Sequence, residues 1–280
     1  MPGPSPSRAG FTLVEMLIAM VLLSSLGGVM AGFILANNRF VRTQDAWREA
    51  RGTSRRELDR LNADLRAVEA TGGVVAAAPT DLTVRVPYAL GVICHATGGV
   101  TVVSLLPPDS VLYANAGFSG YAWRSTLGTY TYQEGGTTVG ISTPSACVPD
   151  SVSTLPGGKV ITLTPGAPFG TPAGSPVMLF QRIRYRFTAS SALPGRIGLW
   201  RTVVATSTAE ELAAPFDSTA AFRFYRVNSD TSQAAAPSPL STTRGIELHL
   251  AGASRATPFG APGPKVVSLT TAIFFQNRLD

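Results

Sequence analysis

The chain has 280 residues, a formal net charge of +6 and only 14% charged residues, enough for one anchor and one or two modest domains. Its 28 glycines and 21 prolines are typical of a turn-rich β domain and count against a helical enzyme. The positive charge is almost all arginine and is spread along the sequence, which disfavours a nucleic-acid-binding patch.

An apolar run dominates the N-terminal part of the chain, from Phe11 to Ala36. It contains no proline and has no polar face, and at about 1.5 Å per residue it is long enough to cross a hydrocarbon core of roughly 30 Å. One carboxylate, Glu15, interrupts it, and a charge within a membrane span normally has a partner or a function. We therefore predict a transmembrane helix over residues 11–35.

The hexapeptide GFTLVE at residues 10–15, with the apolar run behind it, resembles the type III signal of type IV pilins and type II secretion pseudopilins. The resemblance implies that residues 1–10 are a leader, that the membrane-embedded prepilin peptidase cleaves between Gly10 and Phe11, and that Phe11 is then N-methylated. In a bundle of such helices, the Glu15 carboxylate of one subunit can pair with the Phe11 amine of a neighbour. An unpaired charge there would be unfavourable, so this pairing fixes the axial register. Glu15 is thus interpreted as an assembly residue.

Two other interpretations of the N-terminus remain open. One is a secretory signal peptide cleaved after Ala31, because small residues precede that position at suitable spacing. The other is an ordinary signal anchor in which Glu15 has no role. Basic residues also favour the opposite topology, since Arg8 alone precedes the span while four arginines follow it at positions 39, 42, 48 and 51.

The helix is expected to continue beyond the membrane as a periplasmic amphipathic helix over residues 36–71. One apolar stripe recurs at spacings of three and four residues; its members are Trp47, Ala50, Ser54, Leu58, Leu61, Leu65 and Val68. The Gly72-Gly73 pair then ends the helix. We predict one continuous helix, half in lipid and half packed on a sheet.

Residues 72–176 are predicted to form a β-rich middle region. Alternating apolar residues indicate a strand over residues 82–86 that Pro87 closes. Further strands are expected at residues 100–106, 111–113, 121–123, 129–132 and 159–164, followed by a loop at residues 166–176. No family motif is matched in this region.

Residues 177–280 are predicted to form a C-terminal β domain. A strand over residues 177–187 places Ile183, Tyr185 and Phe187 on one face and three arginines on the other. A hairpin to residues 197–204, a short helix capped by Thr208 through residues 211–214, a strand at 221–227, a loop at 229–243 and strands at 246–250 and 266–275 follow.

This C-terminal half resembles PilW-type minor pilins and J-type minor pseudopilins. The matching residues are 184–187, 198–201, 211–213, 222–225 and the closing strand to Asn277. The fold predicted for the whole chain is α+β, with a long N-terminal helix packed on a mostly antiparallel β domain.

Two cysteines, Cys94 and Cys147, are candidates for a disulfide if the domain is translocated to an oxidising compartment. Two separate buried thiols are the alternative. Cys94-His95 lacks the further ligands of a metal site, and His249 lies in an alternating strand where a structural role is expected. The sequence has no nucleophile elbow and no phosphate-binding loop, so no catalytic residue, metal or cofactor is predicted.

These observations predict a non-catalytic minor pilin or pseudopilin. It would lie in the inner membrane as a single-pass protein with its C-terminal domain in the periplasm. After processing, it would join or cap a type IV pilus or type II secretion pseudopilus with other pilin or pseudopilin subunits. A tip adhesin or DNA-uptake receptor on the same filament, and a membrane-anchored hydrolase, are the alternative functions.

Overall fold

A computed structural model describes residues 12–55, 58–97, 99–113, 117–150, 152 and 154–275. Its N-terminal part is a helical run of 54 residues, Leu13–Arg66, which consists of α1 (Leu13–Arg55) and α2 (Leu58–Arg66). The rest of the described chain is dominated by one large antiparallel sheet. The α+β class predicted from the sequence is therefore confirmed.

The first half of α1 projects away from the sheet, and packing begins near Ala46. Small side chains make the seam, because Ala50 and Ser54 are fully buried against the strand that contains Gly252. Ser54 Oγ donates to the carbonyl of Val267 at 2.9 Å and accepts from the amide of Gly252 at 3.0 Å. A Cβ at position 252 would lie 2.3 Å from the carbonyl oxygen of Ala50, so this close approach requires glycine.

The apolar stripe predicted along the helix is buried at Leu61, Leu65 and Val68, which enter the main core. Trp47 departs from the prediction, because its side chain is 40% exposed. Its ring lies beside Lys265, whose Nζ is 5.7 Å from the ring centroid. The helix ends at Arg66, five residues before the end predicted at residue 71, so the glycine pair does not end it. The amide of Gly73 donates to the carbonyl of Glu69 at 2.9 Å in the turn that follows.

Fourteen strands are found among the described residues, all in one sheet. The first seven are β1 (Val74–Ala78), β2 (Asp81–Ala96), β3 (Thr101–Leu105), β4 (Gly120–Arg124), β5 (Tyr130–Glu134), β6 (Thr138–Ser142) and β7 (Val160–Thr164). The others are β8 (Pro176–Ala189), β9 (Ile197–Val203), β10 (Thr208–Phe216), β11 (Ala221–Arg226), β12 (Ser232–Gln233), β13 (Thr243–Ala253) and β14 (Val266–Phe274). A short helix, α3 (Asp109–Leu112), and two 3₁₀ turns (Pro144–Asp150 and Leu240–Thr242) complete the described elements.

The main path of the sheet runs β12-β11-β13-β10-β9-β8-β2-β3-β7-β6. β2 and β8 pair over most of their length, from Asp81 opposite Arg186 to Val92 opposite Pro176. This ladder joins the 72–176 segment to the 177–280 segment within one sheet. The domain boundaries proposed for these two segments stay a prediction.

The two largest hydrophobic cores among the described residues lie along this sheet. The first surrounds α2 and is built around large side chains that include Tyr185, Phe222 and Phe224. The second lies near the far ends of β2 and β3, where Tyr121, Ile161 and Leu179 are fully buried. On β8 the predicted alternation is confirmed, because Ile183 and Tyr185 point into the first core while the intervening arginine side chains lie on the other face.

Pro87 does not end the strand as predicted. β2 continues past it, with a register shift between Pro87 and Ala89 in the pairing with β8. On the opposite edge of β2, pairing with β1 covers residues 81–84 and pairing with β3 begins at Gly91. Pro87 lies between these two partners, so its missing N–H removes no bond from either ladder.

The strand predicted at residues 111–113 is also wrong, since residues 109–112 form α3. The amide of Ser110 donates to the carbonyl of Leu106 at 2.9 Å and that of Tyr113 to Asp109 at 3.0 Å. The Val-Leu-Tyr run is too short for periodicity to separate helix from strand. The backbone hydrogen bonds of the turn around Pro107-Pro108 determine that this segment is helical.

The short helix predicted after Thr208 is wrong as well. Residues 208–216 form β10, which returns antiparallel to β9 with Thr208 opposite Val203. Glu211, interpreted as part of a helix start, accepts at Oε2 from the Ser191 hydroxyl at 2.7 Å and the Ser191 amide at 3.0 Å. Tertiary bonding to the turn after β8 therefore overrides a helix-favouring local composition.

The middle and C-terminal loops contain elements that the sequence pattern did not predict. β6 pairs with β7 from Thr138 opposite Thr164 to Ser142 opposite Val160. The segment predicted as a loop at residues 229–243 contains β12 and a 3₁₀ turn. β12 and this turn have two and three residues, which is too short for a hydrophobic period.

Candidate membrane anchor and assembly site

The N-terminal end of α1 is closed by a reciprocal capping arrangement. The amide and hydroxyl of Thr12 donate to Glu15 Oε2 at 2.9 and 3.0 Å, and the amide of Glu15 donates to Thr12 Oγ1 at 3.3 Å. This is the geometry of a capping box, which satisfies amide donors that a helix start leaves open. The carboxylate is thereby fixed at the helix end. Gly10 and Phe11, the predicted cleavage junction and methylation site, lie outside the described residues.

The apolar half of α1 makes almost no contact with the rest of the described chain. Leu13 is 80% exposed, and the most apolar part of the helix is 0% buried. Its exposed large side chains are Leu13, Val14, Met16, Leu17, Ile18, Met20, Val21, Leu22, Leu23, Leu26, Val29, Met30, Phe33, Ile34 and Leu35. Apolar surface on all sides of a helix is stable only in lipid or among other apolar helices.

The anchor meets the β domain beside the 254–265 loop, which connects β13 to β14. Glu49 on α1 fixes this loop, since its Oε2 accepts from the amide of Arg255 at 3.0 Å and its Oε1 lies 3.2 Å from Arg255 Nε. Beside this contact, an open groove of about 540 Å³ lies between the helix and the loop. Its lining includes Arg42, Asp45 and Phe259.

A partly buried polar cluster attaches α2 to the sheet. The hydroxyl of Tyr185 on β8 donates to Asp64 Oδ2, and Arg201 Nε on β9 donates to the same oxygen at 3.1 Å. Burial, followed by the charge of Asp64, raises the pKa of Tyr185 far above its usual value, so the hydroxyl keeps its proton and remains a donor. The cluster positions the helix that carries the anchor.

Two of the three arginines on the outer face of β8 lie beside carboxylates. Arg184 is bound by Asp81, and Arg182 lies 3.9 Å from Glu134 Oε2. Glu134 also accepts from Arg85 Nε at 2.6 Å. Local ion pairs therefore account for the charges of Arg182 and Arg184.

Cys94 on β2 and Cys147 in the 3₁₀ turn Pro144–Asp150 are joined by a disulfide, with Cα atoms 5.1 Å apart. Both are buried, and they pack with Val102 and Val160. The bond attaches the 144–150 segment to the sheet. The sequence suggested that both cysteines would be in an oxidising compartment. Only the fold shows that they meet, because they are 53 positions apart in the chain.

The two histidines are not part of a metal site within the described ranges. No group of three or more His, Cys, Asp or Glu side chains capable of holding a metal ion occurs there. Nδ1 of His249 on β13 lies 3.2 Å from Oγ1 of Thr270 on β14, so the two side chains form a cross-strand contact.

Sequence reasoning identified Glu15 but missed its partner Thr12, although the Thr-x-x-Glu spacing of a capping box is visible in the sequence. It also missed the Asp64–Tyr185 contact and the packing of Phe259 against Arg39, whose guanidinium lies 4.8 Å from the ring centroid. These pairs are far apart in the sequence, and no local pattern reports them.

Comparison with known proteins bears on the N-terminus. Residues 5–31 match the family model described as the prokaryotic N-terminal methylation motif. The match supports a place in the type IV pilin and pseudopilin superfamily, and the motif indicates a protein that prepilin peptidase processes and that assembles with other pilin subunits. No curated protein matches the chain, and no solved structure matches its fold.

Proposed function

We propose that this protein is a non-catalytic minor pilin or pseudopilin that joins or caps a type IV pilus or a type II secretion pseudopilus. One observation carries the proposal: a single helix has an exposed apolar half that starts with a capped carboxylate, and a second half that is packed on a β domain. Such a helix can span a bilayer before assembly and pack in a bundle of similar helices after assembly.

Insertion and processing follow from the same helix. The apolar half spans the inner membrane, and the β domain lies in the periplasm. Prepilin peptidase removes residues 1–10 and the new Phe11 amine is methylated. The Cys94–Cys147 disulfide suits this topology, because the periplasm is oxidising.

Assembly then depends on Glu15. In the single chain its carboxylate is held by Thr12 at the first turn of α1, where the helix dipole favours negative charge. In the filament the amine of a neighbouring Phe11 approaches this carboxylate. The pair removes two uncompensated charges from an apolar bundle and sets the axial offset between neighbours.

The bulk of the β domain favours a low-copy or tip position. Its sheet has fourteen strands among the described residues and two hydrophobic cores. A subunit repeated along a shaft has neighbours on every side, which limits the size of its domain. At the tip, or at a rare position, the same bulk is accommodated.

N-terminal sequencing and intact-mass measurement of the mature protein test the proposal. We expect the chain to start at methylated Phe11 in cells that have the peptidase, and at the unprocessed N-terminus in cells that lack it. A mature chain starting at Gly32 would indicate a secretory signal peptide. An unprocessed chain in both strains would indicate a simple signal anchor, and either result would overturn the proposal.

A second candidate, a tip adhesin, is favoured by apolar side chains exposed in the 72–176 segment of the domain. Leu127, Ile141, Val148 and Phe169 are all largely exposed there. Exposed apolar side chains of this size, where they form a patch, mark interaction sites. Replacing Leu127 and Phe169 by serine should reduce attachment to a surface while leaving filament number unchanged; attachment at the wild-type level would exclude this role for them.

A further inference from the structure

We propose that the 254–265 loop is a second membrane contact, in which Phe259 enters the lipid headgroup region and Arg39 and Arg42 bind an anionic phospholipid headgroup. The inference rests on the proposed membrane anchor and adds a lipid-binding site to it. It concerns the subunit while it resides in the bilayer.

The position of the loop along the helix is the first argument. The predicted span ends at Leu35, and Arg39 and Arg42 follow it by about 6 and 10 Å along the helix axis. The headgroup layer on each side of a bilayer is roughly 5–8 Å thick. Arg39, and the Phe259 ring 4.8 Å from its guanidinium, therefore lie at the depth of the headgroups.

The loop presents its aromatic ring outward in a fixed turn. The amide of Ala261 donates to the carbonyl of Pro258 at 3.0 Å, which places Phe259 and Gly260 at the tip. Gly260 has a φ of +80°, a conformation that favours glycine. At the base, Ser254 and Lys265 exchange hydrogen bonds through the Ser254 amide at 2.8 Å and Oγ at 2.9 Å.

The exposure of Phe259 is the third argument, because the ring lies beside the membrane-spanning part of the helix. Its side chain is 73% exposed, although it is held at the tip of an ordered turn beside the helix. Aromatic and aliphatic side chains beside basic residues are typical of segments that lie in a membrane interface. At this depth the exposed ring contacts lipid and is stabilised by burial among acyl chains and headgroups.

The charges around the loop select the headgroup. A groove of about 230 Å³ is lined by Leu35, Asn38, Arg39, Arg42 and Phe259, so apolar and basic side chains border the same space. Among the described residues, neither of these two arginines forms a salt bridge, whereas Arg48 pairs with Asp45 and Arg255 with Glu49. Guanidinium groups bind phosphate well, and basic residues near a membrane surface favour anionic lipids.

This contact also accounts for the arginines that conflict with the positive-inside tendency. Two of the four cations after the span, Arg39 and Arg42, would have a function at the outer surface of the inner membrane. In this proposal the two arginines bind lipid phosphate on the periplasmic side, although basic residues on that side do not favour a periplasmic β domain.

Full-length protein in vesicles provides the test. Phe259→Trp is compared with Phe169→Trp, since Phe169 is also largely exposed but lies in the loop between β7 and β8. With brominated phospholipids, we expect the emission added at position 259 to be quenched at least about twofold more than that added at position 169, because bromine quenches only at contact depth. The parent protein supplies the background of the three native tryptophans.

Lipid selectivity is measured with spin-labelled phosphatidylglycerol and phosphatidylcholine. The parent should prefer phosphatidylglycerol, and Arg39→Gln with Arg42→Gln should lower that preference severalfold, since each cation near an anionic surface contributes to binding. Arg48→Gln with Arg51→Gln removes the same charge roughly 20 Å or more beyond the span and should leave the preference unchanged.

Three outcomes decide the proposal. Selective quenching at position 259 together with the loss in the Arg39/Arg42 variant supports it. Equal quenching at positions 259 and 169 overturns it, and so do equal effects of the two arginine pairs. Either result does so even if the parent stays in the membrane during alkaline extraction, which would leave the anchor itself intact. A parent that alkaline carbonate removes from the vesicles overturns both the anchor and this contact.

Discussion

Tyr185 on β8 donates its hydroxyl hydrogen to Asp64 on α2, and this bond joins residues 121 positions apart. Asp64 also accepts from Arg201 Nε at 3.1 Å, so one carboxylate binds two neighbouring strands to the helix. The helix that leaves the domain as a membrane anchor is thus held at its inner end by apolar packing and by a polar cluster. Its orientation relative to the sheet depends on both.

Removal of the Asp64 carboxylate should loosen this end of the helix. Asp64→Ala leaves Arg201, whose side chain is only 14% exposed, without its partner, and we expect a loss of about 2–4 kcal/mol in the free energy of unfolding. Tyr185→Phe should lose about 1 kcal/mol, because one hydrogen bond is lost without an unpaired charge. Urea unfolding in detergent measures both.

Arg60→Gln provides the control for that experiment, since the Arg60–Glu210 ion pair is on the same helix but solvent-exposed. Exposed pairs of this kind contribute about 0–1 kcal/mol. A loss in Arg60→Gln equal to that in Asp64→Ala would show that helix charge in general, and not the buried cluster, determines stability.

The same cluster predicts an alkaline limit to stability. Burial, and then the Asp64 charge, raise the pKa of Tyr185 in the folded state above the value of about 10 for an exposed tyrosine. The unfolded chain therefore loses this proton first as pH rises. Stability from the neutral hydroxyl is complete below pH 10 and declines above it, by up to about 1.4 kcal/mol per pH unit for this group.

Tyr121 adds to this alkaline decline, because burial raises its pKa to about 12. The parent protein should thus lose stability from pH 10 upward more steeply than Tyr185→Phe, in which one titrating group is absent. Denaturant midpoints measured from pH 8 to pH 11 test this. Parallel profiles for the parent and the variant would contradict the assignment to Tyr185.

The helix seam should be sensitive to one methyl group. In Gly252→Ala the new Cβ would meet the Ala50 carbonyl oxygen at 2.3 Å and Ser54 Oγ at 2.4 Å, so α1 must move away from β13. We expect overpacking to lower the free energy of unfolding by about 1–3 kcal/mol and to expose α1 to proteolysis. Gly263→Ala, where a Cβ meets nothing within 4 Å, should behave like the parent.

The parts of this structure that were predictable from sequence are those with a clear local period. Alternation in β8 identified its buried face, and spacings of three and four residues identified Leu61 and Leu65. Where local composition and tertiary bonding disagree, the local pattern fails: Glu211 favours a helix start but lies in β10, where it accepts from Ser191. Sequence spacing cannot show such distant partners.

The residues of the candidate sites also differ in whether the sequence alone could identify them. Glu15 was identifiable because a lone carboxylate in an apolar run is conspicuous. The lipid-facing ring of Phe259 was not, since its meaning depends on the proximity of Arg39, 220 residues earlier. A glycine- and proline-rich loop has no hydrophobic period, so only the fold shows that its tip lies beside the anchor.

Reduction of the disulfide should destabilise the middle of the sheet. Replacing Cys94 and Cys147 by alanine frees a segment of 53 residues in the unfolded chain, and loop-closure entropy gives a loss of about 4 kcal/mol at most. A melting temperature lowered to the same extent by the double variant and by reductant would support a structural bond. If alkylation shows two free thiols in protein extracted from cell membranes, the bond is absent there.

The two roles of Glu15 can be separated by substitution. Glu15→Gln keeps an acceptor for the Thr12 amide and hydroxyl, so the capping box is retained, but it removes the negative charge. Thr12→Ala weakens the cap and keeps the charge. If pairing with a neighbour's amine controls assembly, Glu15→Gln and Glu15→Ala should both reduce incorporation into filaments severalfold, whereas Thr12→Ala should be incorporated nearly as well as the parent. Quantitative immunoblotting of sheared filaments against membrane-bound protein measures the ratio. Normal incorporation of Glu15→Gln, with a defect in Thr12→Ala, would assign Glu15 to helix capping alone.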